Sequence, residues 1–237
     1  MVKLAALLPL LLLSCAAITP PAAPPAEGRP MLGTERELAP LLAQNRCTSH
    51  AQMTGHAIIT VDGKPLAARV ALLVSRPSRL RLTLADMMGS TWFLATADEE
   101  RLFYASPSQG ARETFPRRDG APIRLGGEQY WAEDFVDNLP PCLDPVQLGE
   151  GKATYSNQTL RQERDGVKRR WDFYPGGRIK SLSLLRAAAP PVRFEFAYGE
   201  EGAGFSVTVN RAAEFHFTRV TEVDAPPASA FRPPEEK

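Results

Sequence analysis

The sequence predicts a mainly β chain of about ten or eleven antiparallel strands in one wide, curved sheet, with short helices over its open face. Three observations predict it. Apolar residues recur with period two from about Gln52 to Phe217, Asp-Gly and Gly-Gly turn signals punctuate the runs, and two short stretches of helical spacing interrupt the pattern. Roughly 200 residues take part, enough for one sizeable core and within the range that β sandwiches and barrels fill as a single domain.

The chain starts with Lys3, an apolar run from Leu4 to Leu13, then Leu12-Leu13-Ser14-Cys15 and a proline-rich stretch. A membrane-crossing helix needs about 20 apolar residues, so the run is too short to span and reads as an export segment. It resembles a bacterial lipoprotein signal, which implies removal of residues 1–14 and lipidation of Cys15. Several acyl chains make a nearly permanent anchor. Ala16 rather than aspartate follows the cysteine, which in the sorting rule of such lipoproteins favours the outer membrane. An ordinary secretory signal cut near Ala16-Ala17 is the alternative. Residues 15–30 carry Pro20, Pro21, Pro24, Pro25 and Pro30 between alanines, a tether that reaches up to about 45 Å at 3.1 Å per residue. Residues 31–237 are then the folded domain.

Thr34-Glu35-Arg36-Glu37 reads as a capping box before Leu38, Leu41 and Leu42 at helical spacing. Strands follow. Ala57, Ile59 and Val61 alternate with smaller or polar residues, Asp62-Gly63 turns the chain, and Val70, Leu72 and Val74 repeat the pattern. Leu80, Leu82 and Leu84 come next, then Trp92 with Leu94, then Leu102 with Tyr104. The second half behaves alike, through Leu160, Asp165-Gly166, Trp171 and Phe173, Pro175-Gly176-Gly177, and Ile179, Leu182 and Leu184. Phe194 and Phe196, then Phe205 and Val207, then Phe215 and Phe217 complete the series.

Residues 106–129, rich in Gly, Pro and Arg, read as loop with at most a short strand. Trp131, Phe135 and Leu139 then fall at i, i+4 and i+8, and Pro140-Pro141 stop the helix. Glu133 and Asp137 lie one turn apart away from that apolar face and read as solvated. Alternation places Leu80, Leu82, Leu84, Trp92, Leu94, Trp171, Phe173, Leu182, Leu184, Phe194 and Phe196 on the concave side, with Trp131 and Phe135 above them. Periodicity identifies the face and leaves its occupant open: core packing or a ligand.

The segment Arg79-Leu80-Arg81-Leu82-Thr83-Leu84-Ala85-Asp86-Met87-Met88-Gly89-Ser90-Thr91 resembles the LolA/LolB-like lipoprotein-localisation family, whose basic, leucine-rich strand leads into a Pro-Leu-Gly-Ser/Gln-Thr loop. Trp131 to Pro140 and Ala230-Phe231-Arg232-Pro233-Pro234 are similar to two further family features, in matching order. The resemblance implies an incomplete antiparallel β barrel with a helical lid over an apolar cavity. That cavity would take acyl chains of lipoproteins or lipids from a periplasmic LolA-like carrier and pass them to the outer membrane. By position, Met88 replaces the exposed leucine of the family's membrane-insertion loop, with Met87 beside it. Asp86 stands where the family has asparagine or serine.

Composition narrows the function further. The formal charge is +1, and losing residues 1–14 removes only Lys3, so nothing electrostatic draws the chain to nucleic acid. With Cys15 acylated, Cys47 and Cys142 remain, either bridged or as two buried thiols. His50, His56 and His216 have no carboxylate or cysteine at metal spacing. Gly149-Glu150-Gly151-Lys152 lacks the residues of a phosphate loop and reads as a turn, and no nucleophile motif is present. Arg76, Arg79, Arg81 and Lys168-Arg169-Arg170 read as a solvated outer face or a contact with anionic head groups or an acidic carrier. The expectation is a monomeric, non-enzymatic acyl-chain binder without cofactor. A structural or assembly lipoprotein acting through protein contacts is the alternative.

Overall fold

The computed structural model describes residues 29–30, 35–106, 110–117, 123–125, 127–149, 152–187, 189–199 and 204–233. Cys15, the signal segment, most of the tether and Thr34 of the capping box lie outside the described residues. The elements in the first half are β1 (Arg29–Pro30), α1 (Glu35–Gln44), β2 (His50–Val61), β3 (Lys64–Ser75), β4 (Arg79–Ala85), β5 (Thr91–Ala97), β6 (Arg101–Ser106) and β7 (Ala111–Pro116). A central segment holds β8 (Ile123–Leu125), β9 (Glu128–Tyr130), α2 (Ala132–Asn138) and α3 (Pro145–Gly149). The second half is β10 (Lys152–Ser156), β11 (Thr159–Arg164), β12 (Val167–Phe173), β13 (Ile179–Arg186), β14 (Val192–Tyr198), β15 (Phe205–Val209) and β16 (Ala213–Glu222), followed by a 3-10 turn at Ala228–Phe231.

Fourteen strands form one antiparallel sheet in the order β1-β10-β11-β12-β13-β14-β15-β16-β2-β3-β4-β5-β6-β7, while β8 and β9 pair with each other. The sheet is open, as the sequence predicted for an incomplete barrel, with β7 at one edge and β1 beside β10 at the other. The chain passes from β7 to β10, from one edge to the other, so the central segment has to cross the open mouth. That crossing is the lid.

The expected count of about ten or eleven strands is low. β1, β7, β8, β9 and β10 lie in stretches read as tether or loop or given no strand. β1 and β8 to β10, of two to five residues, are too short to establish a period, and β7 exposes Arg112, Glu113 and Thr114 in succession at the sheet edge.

The turns form where the residue types predict them. Asp62 and Gly63 have φ of 50° and 74°, and Asp165 and Gly166 of 51° and 73°, the left-handed pair that suits a two-residue hairpin. At Gly55 no other residue fits, because a Cβ would stand 1.9 Å from the carbonyl oxygen of His216. There β16 shifts register between Phe217 and Arg219, and its backbone closes on β2.

One apolar core fills the concave side, drawing on every strand from β2 to β6 and from β10 to β16. It includes Met53 and Ile59 from β2, Val70 and Leu72 from β3, and Phe215 and Phe217 from β16, all buried. Cys47 and Cys142 are bridged, with Cα atoms 4.9 Å apart and 95 residues of sequence between them. The bridge joins the end of α1 to the stem that follows α2, next to a Leu143 N–H to Asn45 carbonyl bond of 2.7 Å.

Candidate functional site

Most residues assigned to the concave side form its floor. Leu80, Leu82, Leu84, Trp171, Phe173, Leu182, Leu184, Phe194 and Phe196 are buried in the single core, and Trp92 packs against it half-buried. Leu94 is an exception. Leu84 pairs with Phe93 and Leu82 with Ala95, whereas Leu94 pairs with Thr83 and therefore points outward. It is buried there all the same, on the outer side where the C-terminal turn is held by an Arg81 Nη1 bond of 3.1 Å to the Ala230 carbonyl. Period two was right for β5 but its phase was reversed, because the bulge between Leu84 and Ala85 shifts the face that Trp92 would otherwise set.

The compartment above this floor is occupied by the lid itself. Phe135 of α2 sets its ring edge-on to Tyr130, Phe194 and Phe215, with centroids at 5.8, 6.1 and 6.5 Å. Val136 and Leu139 are buried beside it. Surface hollows of about 700 and 430 Å³ open on the outer faces of β13–β15 and β10–β13. Phe135, Val136 and Leu139 of the lid thus pack into the concave side.

The lid is held by arginines from both halves of the sheet. From the first half, Arg76 donates through Nη2 to the carbonyls of Leu139 and Pro140 at 3.1 and 3.2 Å, and through Nη1 to that of Thr48. Arg117, just beyond β7, pairs through Nε with Glu133 at 2.7 Å and donates to the carbonyls of Ser78 and Asp98. From the second half, Arg186 pairs with the fully buried Asp134 and lies 4.5 Å over the Trp131 ring. Asp134 also accepts the Trp131 N–H at 3.1 Å, closing the first turn of α2. Arg169 of β12 makes no such contact and acts on Asp137 through its charge alone.

Two expectations fail at this point. Asp137 is mostly buried and not solvated: burial pushes its carboxyl up to about 6, against the pull of Arg169, a Gln147 hydrogen bond and Arg76, with Glu133 pushing the same way as burial. Burial likewise raises the Asp134 carboxyl above the ordinary range, opposed by Arg186. Arg76 and Arg169 are not outer-face cations, and burial lowers both guanidinium groups from their usual value. Sequence reasoning missed them because a partner across the mouth has no local signature; period two would have placed Arg169 on the face of Trp171.

At the β4–β5 loop, Met87 and Met88 are 69% and 91% exposed, the two most exposed large apolar side chains among the described residues. Asp86 accounts for their presentation. Its Oδ1 accepts the N–H groups of Met88 and Ser90, both at 2.9 Å, and Gly89 takes φ of 91°. His56 and His216 stack on the outer face at 4.9 Å, with His216 bonded to Ser206 and Glu214.

No family model and no curated protein matches the chain. Solved structures do. An outer-membrane lipoprotein-sorting protein domain from Vibrio parahaemolyticus is 10% identical with a TM-score of 0.54, the match covering 84% of this chain and 95% of that one. A DUF1329 family protein from Desulfovibrio piger is 8% identical with a TM-score of 0.52, over 83% and 97% of the two chains. At such identities the likeness is one of fold, and it is the fold that the sequence resemblance implied.

Proposed function

We propose that this chain is a lipid-anchored envelope protein that receives acyl chains of lipoproteins or other lipids on its concave face and helps insert them in the outer membrane. The observation that carries this reading is the contrast at the mouth: an apolar floor wide enough for Phe135, Val136 and Leu139, covered by a helix held through ion pairs and carbonyl contacts. An acyl chain crossing the periplasm must stay out of water, and such a floor offers it a place without nucleotide or covalent chemistry. The chain would take the volume of Phe135 once the lid swings aside.

In this reading residues 1–14 are removed, Cys15 carries the anchor, and residues 31–237 act as the working domain on a tether whose last two residues pair with β10. The membrane-insertion loop is Met87 and Met88. The cargo comes from a periplasmic LolA-like carrier, and the domain works as a monomer, without cofactor and without catalysis. The packed concave side favours one alternative, an assembly lipoprotein acting through protein contacts.

Native mass spectrometry of the chain carrying Cys15→Ala, purified gently from the periplasm, separates the two. A co-purifying lipopeptide or lipid mass, or saturable uptake of a fluorescent fatty acid, supports acyl binding. A clean protein mass with no uptake assigns the chain to the assembly role.

A further inference from the structure

The polar atoms buried beneath and beside the lid are unevenly satisfied. Among the described residues, five buried side-chain nitrogen or oxygen atoms lack a hydrogen-bond partner: Thr48 Oγ1, Arg76 Nε, Thr96 Oγ1, Tyr130 Oη and Arg169 Nη1. Four belong to the lid region, since Thr48 and Arg76 meet at the α2 stem and Tyr130 packs on Phe135. Two are guanidinium donors. A buried donor without an acceptor is costly, and a cationic one more so, which makes the pair a feature to be explained rather than packing residue.

Both guanidinium groups are coupled to one carboxylate, Asp137, and that carboxylate rides on the lid. Phe135, two residues earlier on the same helix, fills the apolar compartment. The lid thus presents an apolar group to the floor and an anion to two arginines that remain in place on the β3–β4 turn and on β12. A single movement of α2 withdraws both. What would satisfy the exposed site is a molecule with the same two parts.

We propose that the site beneath the lid takes an anionic amphiphile, whose acyl chain replaces Phe135 on the concave floor and whose oxyanion head replaces Asp137 between Arg169 and Arg76. This inference rests on the acyl-binding reading and narrows its ligand class. A carboxylate or phosphate head can accept from the orphaned Arg169 Nη1 and Arg76 Nε, and charge-assisted bonds of this kind are about twice as strong as neutral ones. A neutral hydroxyl head can accept from one donor but brings no charge to offset the two guanidinium groups, and a cationic head meets two like charges. The lid is then an internal mimic of the cargo, and cargo competes with it at both ends of the site.

The test is a head-group series at constant chain length on the Cys15→Ala chain at pH 7.5: hexadecanoic acid, hexadecyl phosphate, hexadecanol and hexadecyltrimethylammonium, each displacing a fluorescent acyl probe below its micelle concentration. The expected result is that both anions bind about tenfold or more tightly than the alcohol; the better anion identifies a carboxylate or a phosphate source. Arg169→Gln should bring the anion-to-alcohol affinity ratio down toward one, and Arg169→Lys should keep part of it. Equal binding across the series, or tightest binding of the cation, overturns the inference and leaves acyl binding standing. Failure of every probe to bind overturns acyl binding and the inference with it. The head-group comparison on the Arg169-containing chain needs no variant to fold, and a far-ultraviolet spectrum with a thermal melt checks each variant that is used.

Discussion

The floor and the lid share one apolar core, yet their backbones are held on opposite principles. Phe194 of β14 sits among side chains from neighbouring strands whose backbones are fully laddered, so its packing is part of the sheet. Phe135, whose ring centroid is 6.1 Å away, belongs to a seven-residue helix joined to its surroundings by Glu133–Arg117, Asp134–Arg186 and the carbonyl contacts of Arg76. A helix of that length has little intrinsic stability. Ion pairs at a buried contact contribute little net stability and leave expensive charges behind when one partner goes. Under the proposed function the floor is the permanent part and the lid the part that moves.

Two alanine substitutions break the comparison most sharply. Phe194→Ala should cost about 3–5 kcal/mol of global stability, read as a fall in the denaturation midpoint, because it opens a cavity within the sheet core. Phe135→Ala removes a ring of equal size, yet the loss should fall mainly on lid closure: the midpoint moves much less, while an apolar dye binds more strongly to the native protein. Equal losses of midpoint for both, with no dye binding, would show that the lid is as integral as the floor.

Next in size is the bridge. Reducing Cys47–Cys142, or replacing both with serine, should lower stability by about 4.7 kcal/mol in the chain-entropy model for a loop of 95 residues. Since the bridge ties the stem of α2 to α1, the amides of α2 should lose hydrogen-exchange protection before those of β14. Simultaneous loss would make the bridge a fastener of the whole fold.

The lid should also respond to pH. With the lid closed, burial holds Asp137 near 6, against 3.8 for a carboxyl in water, so the closed form keeps its proton to higher pH than the open form. Closure is therefore most favoured below about pH 4, weakens as pH rises toward 6, and above that carries a constant penalty of about 3 kcal/mol. Asp134, whose carboxyl is also raised, acts in the same direction. Acyl uptake should accordingly increase from pH 5 to pH 7.5, and Asp137→Asn should flatten that rise. A decrease over this range would reverse the assignment of the closed form.

Legibility in the sequence follows the same division. The eleven runs of alternating apolar residues became β2 to β6 and β11 to β16, because each strand faces water on one side and the core on the other. The strands that escaped detection, such as β7, are wet on both faces or too short to alternate. At the lid the apolar spacing of Phe135 and Leu139 was readable, but Asp134 and Asp137 carry no pattern that separates a buried acid from a solvated one. Their environment is set by Arg186 and Arg169, which lie 52 and 32 residues further along the chain. A charge across a gap leaves no local signature, whereas a buried face does.

The smallest effect on stability is expected at the Met87–Met88 loop, where geometry makes a demand on the tether. The ladders place this loop on the rim that also holds the Asp62-Gly63 turn, while Arg29 pairs with Tyr155 toward the opposite rim. The 12 residues of β2 measure about 40 Å from rim to rim at 3.4 Å each. Thirteen residues, the number from 16 to 28, would span about 40 Å at the 3.1 Å per residue of a polyproline spacer. If Cys15 carries the proposed anchor, the loop touches that membrane only with the tether nearly taut along the sheet. Met87→Ser with Met88→Ser should change stability by less than about 0.5 kcal/mol, since both side chains are exposed, while reducing lipid delivery to vesicles. Deleting residues 20–25 should reduce delivery equally with both methionines intact. If the shortened tether delivers normally, the loop works on a surface other than the membrane that holds the anchor.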